Sequence, residues 1–266
     1  MLTTLDLKRM KKDGDKITMV TAYDYPSAKQ AEAAGVDTIL VGDSLGNVVL
    51  GYDSTTKVTL ADMIHHAKAV KRGAPNTFIA VDMPFMTYHT SLEQAINNAA
   101  KLFQETDCHA VKIEGRSKNT LELIEILTDG GIPVISHLGL TPQMVHVMGG
   151  YRVQGRDDAT RKKLLQDAKD LVSAGAVAVV LEGIPEPLGK EITEAIDVPT
   201  IGIGAGRFCD GQVLVYHDIL QYGVDRFAKF VKNYANYDEI GIDAMKRYVK
   251  EVKEGEFPQK EHTYEA

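Results

Sequence analysis

Short apolar runs recur along the chain, each closed by a polar residue or a glycine. They are Ile17–Ala22, Thr38–Val41, Phe78–Val81, Ala110–Ile113, Pro133–Ser136, Val177–Leu181, Pro199–Ile203 and Val213–Tyr216. Being apolar and rich in β-branched residues at consecutive positions, they leave no face for water and read as strands buried on both sides. Between most of them the apolar period is that of a helix. Residues 1–14 predict a short amphipathic helix, with Leu2, Leu5 or Leu7, and Met10 on one side. Pro26 opens a second that closes at Gly35, Thr59 caps a third over Leu60–Lys71, and Ser91 caps a fourth. Helices are also expected over Thr120–Leu127, over Ala159–Ala174 and in a segment ending at Ile196. The glycine-rich stretch 139–155 reads as a loop, and Ile240–Val252 as a last amphipathic helix near the end.

Strands alternating with helices predict a parallel sheet. Eight such units in about 250 residues match an α/β fold of the (β/α)8 TIM-barrel kind. No change of composition marks a linker. The expectation is therefore one domain over residues 1–266, with a short N-terminal helix and a C-terminal helical tail that closes the barrel or packs on another subunit.

Composition narrows the function classes. The 266 residues are 44% hydrophobic and 25% charged, with a formal charge of -7. No basic stripe offsets that charge, which argues against nucleic acid as a partner. The densest basic run, Lys8–Lys12, reads as a solvated helix face. Cys108 and Cys209 offer neither a disulfide framework nor a CxxC pair, and predict reduced thiols in a cytoplasmic protein. No apolar run approaches the roughly 20 residues needed to cross a bilayer, so no membrane association is expected.

In barrels of this kind chemistry collects beyond the carboxyl ends of the strands. Read in order, those positions hold Asp24, Asp43 and Ser44, Asp82, Glu114, His137, Glu182, the Gly204–Gly206 loop and Asp218. Any one acid there can be a helix cap. Asp43, Asp82 and Glu114, however, follow three consecutive strands and should lie side by side, where they repel unless a cation or proton joins them. Oxygen donors of this kind suit Mg²⁺ better than Zn²⁺. Lys112 points to the same face as Glu114 and needs an anion, either these acids or a substrate carboxylate. Its alternatives are a Schiff-base nucleophile and a structural ion pair. Glu182 stands two strands beyond the acid arc and reads as a general base or as a cap ahead of Pro185. His137 reads as a donor to a substrate oxygen or as a structural histidine. The Gly202–Gly206 run either cradles a phosphate or permits close packing.

The segments VGDSLG (Val41–Gly46), GYDST (Gly51–Thr55), DMPF (Asp82–Phe85), VKIEG (Val111–Gly115), HLGLTPQ (His137–Gln143), GGYRVQGR (Gly149–Arg156), LEGIP (Leu181–Pro185) and GIGAGRFCDGQVLVYHD (Gly202–Asp218) occur in order along nearly the whole chain. Together they resemble the ketopantoate hydroxymethyltransferase family, with departures at Tyr52 and Ser136. The resemblance implies a barrel of the phosphoenolpyruvate/pyruvate superfamily, usually a homodecamer, acting in pantothenate and coenzyme A biosynthesis. It implies transfer of a hydroxymethyl group from 5,10-methylenetetrahydrofolate to 3-methyl-2-oxobutanoate with Mg²⁺. Carried over by motif, Asp43 and Asp82 are metal ligands and Glu114 completes the metal site. Asp43, Ser44, Asp82 and Lys112 hold the 2-oxo acid, and Glu182 accepts the proton. Three other readings remain open on the residues alone: a Mg²⁺-dependent carbon–carbon lyase of the same superfamily acting on a 2-oxo acid, an aldolase using Lys112, and a non-catalytic barrel.

Overall fold

The computed structural model describes residues 1–265. The chain divides into two compact units, Met1–Tyr216 and His217–Ala266. In the first, eight parallel strands close into a barrel in sequence order. They are β1 (Ile17–Thr21), β2 (Thr38–Val41), β3 (Phe78–Asp82), β4 (Ala110–Glu114), β5 (Val134–Gly139), β6 (Ala178–Glu182), β7 (Thr200–Ile203) and β8 (Gly211–Leu214). The helices of this unit, in order, are α1 (Thr4–Asp13), α2 (Tyr25–Ala33), α3 (Leu45–Val48), α4 (Leu60–Gly73), α5 (Leu92–Thr106), α6 (Lys118–Asp129), α7 (Val145–Met148), α8 (Asp158–Ser173) and α9 (Glu186–Ala195). α10 (Tyr216–Leu220) runs across the division. The second unit holds α11 (Tyr237–Glu254), capped by the Asn236 side chain.

The strands are apolar throughout because both of their faces are covered. Ile17, Met19, Leu40, Phe78, Ala80, Ala110, Ile135, Ala178, Val180, Ile201 and Val213 form one buried cluster, and Leu7 of α1 joins it. The intervening residues Ile39, Val41, Ile79, Val81, Val111, Ile113, Val179 and Leu181 are buried as well. Successive side chains of a strand alternate in direction, so the first set can be followed along each strand in steps of two. Two residues beyond Ala80 is Asp82, and two beyond Ala110 is Lys112, with Glu114 two further. Two beyond Ile135 is His137, and two beyond Val180 is Glu182. The alternation that fills the barrel with apolar side chains therefore sets one polar layer above them.

Three local expectations shift. β5 runs on to Gly139, so His137 lies within the strand and not beyond it, and α7 interrupts the expected 139–155 loop. β8 begins at Gly211, two residues before the expected Val213, and Tyr216 already opens α10. Gly211 permits that earlier start: a Cβ there would lie 2.4 Å from the Ile17 carbonyl oxygen on β1.

The β5–β6 edge is equally close. Gly139 has φ of 94°, and a Cβ on it would lie 2.2 Å from the Glu182 carbonyl oxygen. Clash and left-handed backbone together make Gly139→Ala cost about 2 kcal/mol or more. The melting temperature should fall by about 4 °C or more. An unchanged melting curve would show that this edge yields freely.

Candidate active site

The polar layer gains its β2 member where the strand ends at Val41 and Gly42 leads into the buried Asp43. A Cβ at Gly42 would lie 2.9 Å from Ser44 Oγ and 3.6 Å from Asp82 Oδ2, a space that glycine leaves open. Asp43 is thereby buried beside Asp82, and its backbone N–H donates to Asp82 Oδ2 at 3.0 Å. Ser44 Oγ lies 2.8 Å from the hydroxyl of the buried Tyr23. Asp82 and Lys112 are register partners on β3 and β4, and Lys112 Nζ sits 2.9 Å from Asp82 Oδ1 and 3.6 Å from Glu114 Oε1. Glu114 and His137 are partners on β4 and β5. The His137 ring bridges two acids, with Nδ1 3.3 Å from Glu114 Oε1 and Nε2 3.3 Å from Glu182 Oε2.

Glu182 is thus joined to the acid arc through His137, whereas strand order alone sets it apart. Asp24 is a helix cap: its side chain accepts from Ser27 N–H at the start of α2. Asp218 lies in the second unit, on α10, and not at a strand end. The glycine run serves packing, since a Cβ on Gly202 would lie 3.0 Å from Cys209 Sγ and one on Gly206 would lie 2.5 Å from Glu186 Cγ. Glu186 Oε2 already accepts from Arg207 N and Nε beside it, which leaves an acid where a phosphate would have to sit.

Two residues that sequence reasoning missed complete the cluster. Gln143, buried in the β5 loop, donates from Nε2 to Asp43 Oδ2 at 2.8 Å and to the Met83 carbonyl at 3.0 Å. Its backbone N–H donates to Glu114 Oε2 at 3.1 Å. Tyr88 donates its buried hydroxyl to Gln143 Oε1 at 2.7 Å and accepts from Glu114 N–H at 3.3 Å. The HLGLTPQ motif contains Gln143, but spacing gives no sign that this side chain turns back to β2.

Burial is the largest influence on the protonation of Asp43, Asp82 and Glu114. It pushes Asp43 well above the usual carboxylate range, and the charges of Asp82 and Glu114 add to it. Asp82 is raised by burial too, against the opposing charge of Lys112. For Glu114 burial is outweighed by His137 and Lys112, and the carboxyl falls below its ordinary value. Burial opposes the charge on Lys112, yet Asp82, Glu114 and Asp43 hold its pKa above the ordinary value. His137 is pushed up to about 9, because Glu114 and Glu182 outweigh burial and the nearby ammonium. Its Nδ1 lies 3.3 Å from both Lys112 Nζ and Glu114 Oε1. As an imidazolium it serves the carboxylate.

With all groups charged, four carboxylates face two cations, and a divalent cation would balance the remainder. Asp82 Oδ1 supports that fit: it is buried and, among the described residues, meets the Lys112 ammonium at 2.9 Å, which leaves it a lone pair for a cation. Oxygen donors of this type are the ones Mg²⁺ takes. Among the described residues no three acid, histidine or cysteine side chains already enclose a metal position. Mg²⁺ needs no such cage, since one or two carboxylates commonly hold it with waters and substrate oxygens.

Comparison with known proteins places this geometry in a class and then in a family. The solved phosphoenolpyruvate phosphomutase from Streptomyces platensis subsp. rosaceus superposes with a TM-score of 0.62 at 15% identity, covering 99% of this chain and 92% of that one. A 2,3-dimethylmalate lyase, a member of the PEP mutase/isocitrate lyase superfamily, gives 0.59 at 17% identity, covering 99% and 93%. The fold is therefore the closed eight-stranded barrel that these proteins share. The ketopantoate hydroxymethyltransferase family model matches residues 1–260. A 3-methyl-2-oxobutanoate hydroxymethyltransferase from Geobacillus sp. (strain WCH70) is 57% identical over 264 residues, covering 99% of this chain and 94% of the relative. The chain belongs to the ketopantoate hydroxymethyltransferase family.

The charged layer makes stability depend on pH. A histidine raised from 6.5 to about 9 on folding contributes stability that is full below the unfolded value and lost as pH rises through the folded one. Asp43 and Asp82, also raised, act with the same sign. In a chelator, the melting temperature should fall as pH rises from about 6.5 to about 9. Mg²⁺ should recover much of the loss at the alkaline end. A melting temperature that is flat or rises over that window would contradict this charge arrangement.

Proposed function

We propose that the chain transfers a hydroxymethyl group from 5,10-methylenetetrahydrofolate to 3-methyl-2-oxobutanoate, giving 2-dehydropantoate, with Mg²⁺ held by Asp43 and Asp82 and the metal site completed by Glu114. The observation that carries this reading is the buried pair Asp43–Asp82, with Lys112 2.9 Å from Asp82 on one side and the His137–Glu182 contact on the other. Bound there, the ion supplies positive charge that lets the proton on C3 of the 2-oxo acid be removed.

Lys112 and Ser44 hold the carboxylate and keto oxygens of the substrate and keep positive potential around them. Glu182, less buried than the other acids, takes the C3 proton. His137 orients Glu182 from its Nε2 while its Nδ1 stays with Glu114. C3 forms a bond to the folate methylene carbon. As that bond forms, one of the two carbon–nitrogen bonds of the methylene bridge breaks and its nitrogen receives the proton taken from C3. Water then displaces the second nitrogen, leaving its OH on the carbon and its proton on tetrahydrofolate. Lys112 kept charged has no lone pair with which to form a Schiff base, which argues against the aldolase reading. The lyase reading loses support from family membership, because at 17% identity the likeness to 2,3-dimethylmalate lyase concerns the fold.

The family supports a role in pantothenate biosynthesis, in the cytoplasm and as a homo-oligomer, a decamer by resemblance. No helix among the described residues is long and apolar enough to cross a membrane.

Purified protein should form 2-dehydropantoate only when both substrates and Mg²⁺ are supplied. Product formation without the folate would overturn the transferase reading. Glu182→Gln should bind the 2-oxo acid nearly as well as the wild type and lose on the order of 10²–10⁴ in kcat. Wild-type kcat in that variant would remove Glu182 as the base. Asp82→Ala should raise the Mg²⁺ concentration needed for activity sharply, and an unchanged Mg²⁺ titration would remove Asp82 from the ligands.

A further inference from the structure

Gln143 touches more of the charged layer than any proposed role of the acids requires. From one position in the β5 loop it reaches Asp43 on the β2 side, the Met83 carbonyl beside Asp82, and Glu114 on β4. The direction of its amide follows from its partners. A carboxylate oxygen and a carbonyl oxygen both accept, so the NH₂ must face them and the amide oxygen must face Tyr88. Tyr88 in turn spends its oxygen on Glu114 N–H and its proton on the amide. The result is a closed ring of hydrogen bonds, Glu114 to Tyr88 to Gln143 and back to Glu114, with the free amide end aimed at Asp43.

We propose that Gln143, its amide fixed by Tyr88, is a positioning residue that sets the orientation of the Asp43 carboxylate for the divalent cation. Gln143 takes Asp43 Oδ2 and leaves Oδ1 to face the ion. A carboxylate without that anchor rotates about its last bond, and each rotation removes a donor oxygen from the site. Partners that orient a metal ligand in this way typically contribute 10- to 100-fold in metal affinity. Because Gln143 sits at the start of the β5 loop and its backbone N–H holds Glu114, the same residue couples the seating of that loop to the geometry of the metal site.

This inference rests on the metal reading above, so the test separates the two. Mn²⁺ is titrated into the full chain without substrates, and free Mn²⁺ is followed by electron paramagnetic resonance. Wild type should bind Mn²⁺, and Asp82→Ala should lose that binding. If the wild type bound none, the metal reading and this assignment would fall together. Gln143→Met keeps the length and volume of the side chain without its donors. It should raise the Mn²⁺ dissociation constant by about tenfold or more, while kcat at saturating metal stays nearer wild type than kcat at limiting metal. Tyr88→Phe keeps the ring and frees the amide to turn, and should raise the constant by about threefold or more. A purely structural role would lower the melting temperature and leave the dissociation constant in place. Wild-type Mn²⁺ affinity in folded Gln143→Met, or in Tyr88→Phe should the former not fold, would overturn the proposal.

Discussion

Charge held away from water at the mouth of the barrel is the constraint to which the surrounding structure answers. Asp43, Asp82, Lys112, Glu114 and His137 are all buried, where an isolated ion would cost several kcal/mol. All but Asp43 are therefore paired: Asp82 with Lys112, Glu114 with Lys112 and His137, His137 with Glu182. Asp43 has no cation among its hydrogen-bonding partners. It is met by the Gln143 amide and by nothing of opposite charge as near as Lys112 is to Asp82. That imbalance calls for a proton or a cation at Asp43.

The barrel provides the rigidity that such a cluster needs. Five of its charged side chains stand on the four strands whose lower positions are packed with Ala80, Ala110, Ile135 and Val180. Moving one of them means moving a strand. Close contacts at Gly42, against Ser44 and Asp82, and at Gly139, against the Glu182 carbonyl, leave the backbone little room beside the charged groups. Precision of this kind is what proton removal from carbon demands, because the base, the stabilising charge and the substrate must coincide within a fraction of an ångström.

Much of this is legible in the sequence. Short apolar runs ending in acids predict both the strands and the rim, because a strand buried on two faces can end in a charge only where the barrel opens. The step of two that links Lys112 to Glu114 is enough by itself to place both on one face. What stays hidden depends on contacts distant in sequence. The pairing of His137 with Glu182 follows from the register of β5 and β6, which spacing does not report. Gln143 reaches Asp43 across a separation of 100 residues. Asp24 follows an apolar run in sequence as Asp43 and Asp82 do, yet Ser27 N–H captures it as a cap. Asp218 is not at a strand end because β8 stops at Leu214 and the residues from Tyr216 form a helix.

The central claim is that a cation seated by Asp43 and Asp82 lets Glu182 remove a proton from C3 of a 2-oxo acid. Its most direct test is the exchange of that proton. The protein would be incubated with 3-methyl-2-oxobutanoate in D₂O, with Mg²⁺ or with a chelator, each with and without tetrahydrofolate, and the C3 signal followed by NMR. The account predicts enzyme-dependent loss of the signal with Mg²⁺ that the chelator abolishes. Exchange that survives the chelator, or a C3 proton that stays in place even with Mg²⁺ and tetrahydrofolate, would contradict it.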